Sequence, residues 1–152
     1  MSRVEISFPE TFHFSTQLAV RVGDINYGNH LGHDRMITMM HEARILFFLS
    51  LGYSEFDIEG VGSLIGDLAI SYRNEAFYGD LLEFRISVQE LSKKSCHFYY
   101  HIARLDKSGS SSELIAIAKT GIVFFDYGLR KSAEIPAAFI EKLVSQANHS
   151  GS

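Results

Sequence analysis

Apolar and polar positions alternate from Phe14 to Val22. Phe14, Thr16, Leu18, Val20 and Val22 fall on one side, Ser15, Gln17 and Arg21 on the other. That two-residue period predicts a half-buried strand. A Gly/Asn/His cluster, Gly28 to His33, ends it. From about Asp34 to Leu51 the spacing turns helical, with Met36, Met40, Ala43 and Phe47 on one face and Gly52 as the C-terminal stop. Ile45-Leu46-Phe47-Phe48-Leu49 is apolar all round. A helix of that kind is expected to be covered on every side, in the core.

Four more strands are predicted. Leu64 to Arg73 places Leu64, Leu68, Ile70 and Tyr72 together, and Leu82, Phe84, Ile86 and Val88 alternate with Glu83, Arg85, Ser87 and Gln89. Cys96 to Leu105 puts Phe98, Tyr100 and Ile102 opposite His97, Tyr99 and His101. Leu114 to Phe125 is apolar on both faces, the mark of a central strand. Turns are expected at Tyr78-Gly79-Asp80, over 107–111 and at Asp126-Tyr127-Gly128, with a loose loop over Ser108–Ser112. After Pro136 a short helix should present Phe139, Ile140, Leu143 and Val144 inward.

The order strand, long helix, four strands, small helix fits an α+β fold: one antiparallel sheet wrapped around one buried helix. The sheet's other face then needs cover, which points to subunit association. The chain is 152 residues long, one domain by length, expected over residues 1–146 with a flexible tail at 147–152.

Composition narrows the function classes. A net charge of −4 with no Lys/Arg-rich run argues against a nucleic-acid partner. The single cysteine, Cys96, excludes an internal disulfide and a cysteine-based zinc site. The His97/Tyr99/His101 face lacks a third ligand at a telling distance, so no metal is expected. The first 25 residues carry no continuous apolar core and nothing approaches the ~18 apolar residues of a membrane span, so a cytoplasmic, membrane-free protein is expected.

Two segments carry a resemblance. Arg21-Val22-Gly23-Asp24-Ile25-Asn26-Tyr27-Gly28-Asn29-His30-Leu31, followed by Glu42-Ala43-Arg44 on the long helix, resembles the hot-dog thioesterases of the 4-hydroxybenzoyl-CoA and acyl-ACP groups. Ile70 to Glu83, with its Gly79-Asp80 turn, is similar to their strand, turn and strand. The resemblance covers roughly residues 14 to 126. It implies a hot-dog fold, a homodimer or homotetramer, and hydrolysis of an acyl-CoA or acyl-ACP thioester without a cofactor.

One position departs from the family pattern. The second acid of the motif, nucleophile or base in the 4-hydroxybenzoyl-CoA type, is Asn26 here. An amide is no base near neutral pH and a poor nucleophile. Asn26 is therefore expected to orient water or the thioester carbonyl, and Asn26→Asp to raise hydrolysis. An imidazole can take a proton from water or give one to a departing thiolate, so His30 is expected to move a proton.

The resemblance places the carbonyl at Gly32 and His33, where a helix start offers free N–H groups. Asp24 is the remaining acid of the motif, grouped with the substrate-binding positions, and a turn or capping role is the simpler reading of it. Glu42 is the further catalytic candidate, although it lies ~13 Å along the helix from the start. Two other readings stand beside hydrolysis: a non-hydrolytic acyl-CoA binder, and a dehydratase or hydratase pairing His30 with Glu42.

Overall fold

The computed structural model describes residues 3–149. The elements in chain order are β1 (Thr11–Phe12), β2 (Phe14–Ala19), a 3-10 turn (Val22–Asp24), α1 (His33–Ser50) and β3 (Gly62–Tyr72). Then come β4 (Leu81–Gln89), β5 (Ser95–Leu105), β6 (Ser111–Asp126), β7 (Lys131–Ser132), α2 (Ala137–Ser145) and β8 (Asn148–His149). The main sheet is antiparallel in the order β2-β4-β5-β6-β3, with β7 beside β6. Its concave side holds α1. This is the expected α+β hot-dog architecture.

The helix enters the sheet through its aromatic residues. Phe47 packs 5.5 Å from both Phe14 and Phe98, Phe48 lies 5.7 Å from Phe98, and Phe139 of α2 closes the end against Phe48 and Phe124. Leu82, Phe84, Ile86, Phe98, Tyr100 and Ile102 are all fully buried, as their alternation predicts. At the C-terminal end of α1, Gly52 adopts φ +85°, Gly52 N–H donates to Leu49 O and Tyr53 N–H to Phe48 O. This paired termination needs a left-handed residue, which is why glycine stands there.

Several expectations are corrected. The first strand ends at Ala19, and Val22 sits in the exposed 3-10 turn instead of on the inner face. The second half of α1 is not covered all round: Ile45 is 42% and Leu49 64% exposed, in one stripe with exposed Ile37. Leu64 does not share a face with Leu68. A bulge lies between Ile65 and Asp67, so Leu64 pairs with Val123 while Leu68 pairs with Thr120. An odd offset along β6 means opposite faces, and Ile65 joins Leu68 on the helix side instead. Val144 of α2 is exposed at 75%, while Phe139 and Leu143 are buried.

The 106–112 region is an ordered turn, Asp106 accepting from Ser108 N–H and Ser110 N–H, and Ser111–Ser112 already belong to β6.

The sheet's outer face finds part of its cover within the chain. Ile6 and Phe12 of the N-terminal segment are buried, the Phe8 ring packs tilted 5.4 Å from His101, and Arg85 lies 4.7 Å over the Phe12 ring. Asn148–His149 pairs with Thr11–Phe12, and residues 150–152 of the expected tail lie outside the described residues. Among the described residues no helix is long and apolar enough to cross a membrane.

Candidate active site

The loop between β2 and α1 folds on hydrogen bonds that its own sequence supplies. Asp24 Oδ2 accepts the Arg21 N–H at 2.8 Å, closing the 3-10 turn. Asn26 Oδ1 accepts Gly28 N–H at 2.9 Å and His30 N–H at 3.4 Å, the short-side-chain turn that asparagine favours. Asn26 N–H returns to His30 O, and Leu31 N–H is taken by Ala76 O. The loop is thereby stitched to the segment that follows β3. A β-carbon at Gly28 would stand 3.0 Å from His30 Nε2 and 3.3 Å from Asn26 Oδ1, so the imidazole lies on a bare Cα.

These bonds fix chemistry as well as shape. Two N–H donors converge on one Asn26 oxygen, so the amide orientation is dictated: Oδ1 serves the loop and Nδ2 is left as a donor. His30 Nδ1 lies 3.1 Å from Leu31 O. A carbonyl can only accept, so Nδ1 is the donor, and in the neutral ring Nε2 carries the lone pair. Nε2 faces Glu75, whose Oε1 is 3.8 Å away.

Asn26, His30, Leu31, His33, Met36, Tyr72, Arg73, Asn74, Glu75, Ala76 and Ile115 surround a cavity of about 290 Å³. Its floor is apolar (Leu31, Met36, Ala76, Ile115) and its rim polar. α1 points its N-terminus at this cavity through His33. Gly32 is the N-cap, without a side-chain cap, and its N–H is already donated to Asp24 O at 3.0 Å. The His33 N–H has no partner among the described residues and remains available. Tyr72 ties the arrangement together, donating its hydroxyl to His33 O at 2.6 Å. Burial, and then Asp34 nearby, push that phenol's pKa up, which keeps it a donor.

The structure thus gathers three of the six residues singled out from sequence, Asn26, His30 and His33, around one cavity. It does not bring the other three there as expected. Asp24 is buried, and its carboxylate closes a turn. Gly32 shapes the helix start but its N–H is consumed. Glu42 lines a separate depression with Leu18, Ala19, Arg21, Asp24, Thr38 and Met39. Cys96, buried in β5, has its pKa pushed up to about 12 and is no nucleophile. His97 Nδ1 sits 2.8 Å from Glu90 Oε2, and no cluster of three metal-ligating side chains occurs among the described residues.

Sequence reading passed over Tyr72, Asn74 and Glu75. A signal for them existed: all three stand in the second matched segment, at the end of β3, where an antiparallel strand beside β6 must deliver its last residues to the start of α1.

A curled antiparallel sheet around a helix whose N-terminus meets a half-apolar cavity is the hot-dog fold. The sequence pattern of the thioesterase-like superfamily matches residues 20–143, and the chain belongs to that family. No curated protein matches it. Among solved structures, the chain is similar to the 1,4-dihydroxy-2-naphthoyl-CoA thioesterase from Synechocystis, at 21% identity and TM-score 0.75 over 88% of this chain and 96% of that one. It is similar also to 4-hydroxybenzoyl-CoA thioesterase from Pseudomonas sp. strain CBS-3, at 21% identity and TM-score 0.73 over 88% and 99%. A further match is a 4-hydroxybenzoyl-CoA thioesterase mutant, aspartate to asparagine, complexed with 4-hydroxybenzoyl-CoA (22% identity, TM-score 0.76, 89% and 99% covered).

Proposed function

We propose that this protein hydrolyses an acyl thioester carried by coenzyme A or acyl carrier protein, with Asn26 in place of the family's acid. The observation that carries the reading is the convergence of unlike groups on one small cavity. Asn26, whose Nδ2 is left as a donor, and His33, whose N–H has no partner among the described residues, both line it, together with His30 and an apolar floor. Donors aimed at a carbonyl oxygen stabilise the charge it gains as water adds, and the helix dipole adds to this. His30 Nε2 is the acceptor for that water.

About 290 Å³ suits a thioester and a modest acyl group, so the carrier stays outside, with Arg73 at the rim as a cation for an anionic carrier.

The functional unit in this reading is a homo-oligomer. β3 is an edge strand, and its exposed Ile65 and Leu68 adjoin the uncovered Ile37 on α1. An unpaired apolar edge of this kind invites a second copy, pairing β3 to β3 into a continuous sheet. The dehydratase reading requires His30 and Glu42 to share a site, and within the chain they line different cavities.

The test is thiol release over a panel of acyl-CoA and acyl-ACP esters. Release of free thiol with matching acid supports hydrolysis. Tight acyl-CoA binding without release makes the protein a binder, and loss of enoyl-thioester absorbance without thiol makes it a hydratase.

A further inference from the structure

The hydrolytic reading leaves one gap: position 26 no longer offers a carboxylate. We propose that Glu75, on the opposite wall of the same cavity, is the general base that replaces it. The proposal rests on the thioesterase reading and goes beyond it by assigning the proton acceptor.

Four observations carry it. Among the described residues that line the cavity, Glu75 is the one carboxylate. Its Oε1 stands 3.8 Å from His30 Nε2, beyond a direct hydrogen bond. His30 Nδ1 donates to Leu31 O, so with the ring neutral two acceptors face each other across that gap. A water about 2.8 Å from each would donate one hydrogen to each, leaving its lone pairs free for attack. Finally, the backbone under Glu75 is pinned while its side chain is left free. Asn74 Nδ2 donates to Leu114 O at 2.7 Å, Arg104 donates to Glu75 O at 3.1 Å, and Ala76 O receives Leu31 N–H. The Glu75 side chain is 63% exposed and holds no other ion pair among the described residues. An exposed carboxylate on a pinned backbone is suited to take a proton and give it up.

The step balances as follows. The water oxygen forms a bond to the thioester carbonyl carbon and its proton passes to the Glu75 carboxylate. The carbonyl pair moves to the oxygen, held by Asn26 Nδ2–H and the His33 N–H. When the tetrahedral intermediate collapses, the C–S bond breaks and the departing thiolate takes the proton back from Glu75. One acid and one thiol leave, and the carboxylate is regenerated. His30 holds the water throughout.

The experiment compares the full chain with Glu75→Gln and Glu75→Asp on whichever acyl-CoA the parent hydrolyses. Expected for Glu75→Gln is a loss of kcat of about a hundredfold to ten-thousandfold, with KM within a few-fold and an unchanged melting temperature. Glu75→Asp, which keeps the base on a shorter stem, should fall between. Neutral hydroxylamine needs no base, so hydroxamate formation by Glu75→Gln should approach the parent's. A Glu75→Gln protein within threefold of the parent overturns the assignment while leaving the hydrolase intact. Equal losses toward water and hydroxylamine overturn it too, because they mark a binding role. A parent that releases no thiol from any ester overturns the underlying reading, and the base with it.

Discussion

Changing Asn26 to Asp separates two accounts of this site. By the motif alone the substitution restores the family's acid and should raise hydrolysis. The geometry reverses the sign. Asn26 Oδ1 already serves Gly28 N–H and His30 N–H, at 2.9 and 3.4 Å, and a carboxylate would keep both bonds. The loop therefore survives, and the change in melting temperature should stay within a few degrees, on the scale where 1 kcal/mol shifts a chain of this size by roughly 2–4 °C. What is lost is the Nδ2 donor, and what replaces it is negative charge where the carbonyl oxygen becomes negative.

Removing one such donor in a closed site costs about a hundredfold to a thousandfold. Asn26 is exposed here, so water partly compensates, and a loss of at least about tenfold, or ~1.4 kcal/mol on the barrier, is expected. The assay is thiol release by parent and variant over the same acyl-CoA panel, with thermal melts alongside. An Asn26→Asp protein that folds normally and hydrolyses any thioester tenfold faster would refute the donor role and return position 26 to base chemistry.

Three further outcomes are expected. His30→Ala should cut turnover by on the order of a hundredfold with little change in melting temperature; a less stable variant with intact per-molecule activity would make His30 a loop residue only. The His13 imidazole is held below its ordinary range by burial, and its Nδ1 accepts the Val88 N–H at 3.0 Å. Burial, then Arg85, lower the His101 imidazole as well.

Because the unfolded chain protonates these groups near pH 6.5 and the folded chain resists, stability is full above that pH and falls as pH drops through it. Thermal melts between about pH 7.5 and 5.5 should show this, with a smaller slope for His13→Asn, whose carbonyl can still accept from Val88; an unchanged slope counts against His13 as a source. Light scattering should give a mass of at least twice 17.1 kDa at micromolar concentration, and Leu68→Glu at the exposed β3 edge should lower it. A stable parent monomer would sink the shared-edge reading.

The sequence by itself determined the long strands, both helices and most of the core; the two-residue strands β1, β7 and β8 it did not. Alternation along 82–88 and 98–102 and the helical spacing of Met36, Met40, Ala43 and Phe47 are local periodicities, and burial follows from them directly. It also marked the loop that carries Asn26 and His30, because turn-forming residues there break two strong patterns.

What it did not decide were properties of pairing and direction. A single bulge residue reverses the face of Leu64 relative to Leu68, and no periodicity within one strand reveals a partner's register. The side chain of Val144 follows helical spacing yet faces outward, because what α2 packs against is set by the sheet.

The same holds at the site. Whether the Gly32 N–H is free depends on Asp24 O eight residues earlier, and which atom of Asn26 faces the cavity depends on two backbone donors. The carboxylate nearest His30 Nε2 is 45 positions away in sequence, brought there because β3 runs antiparallel to β6 and ends beside the start of α1. Residue type sets what a group can do. Its partners, fixed only when distant segments pack, set which of those capacities is still free.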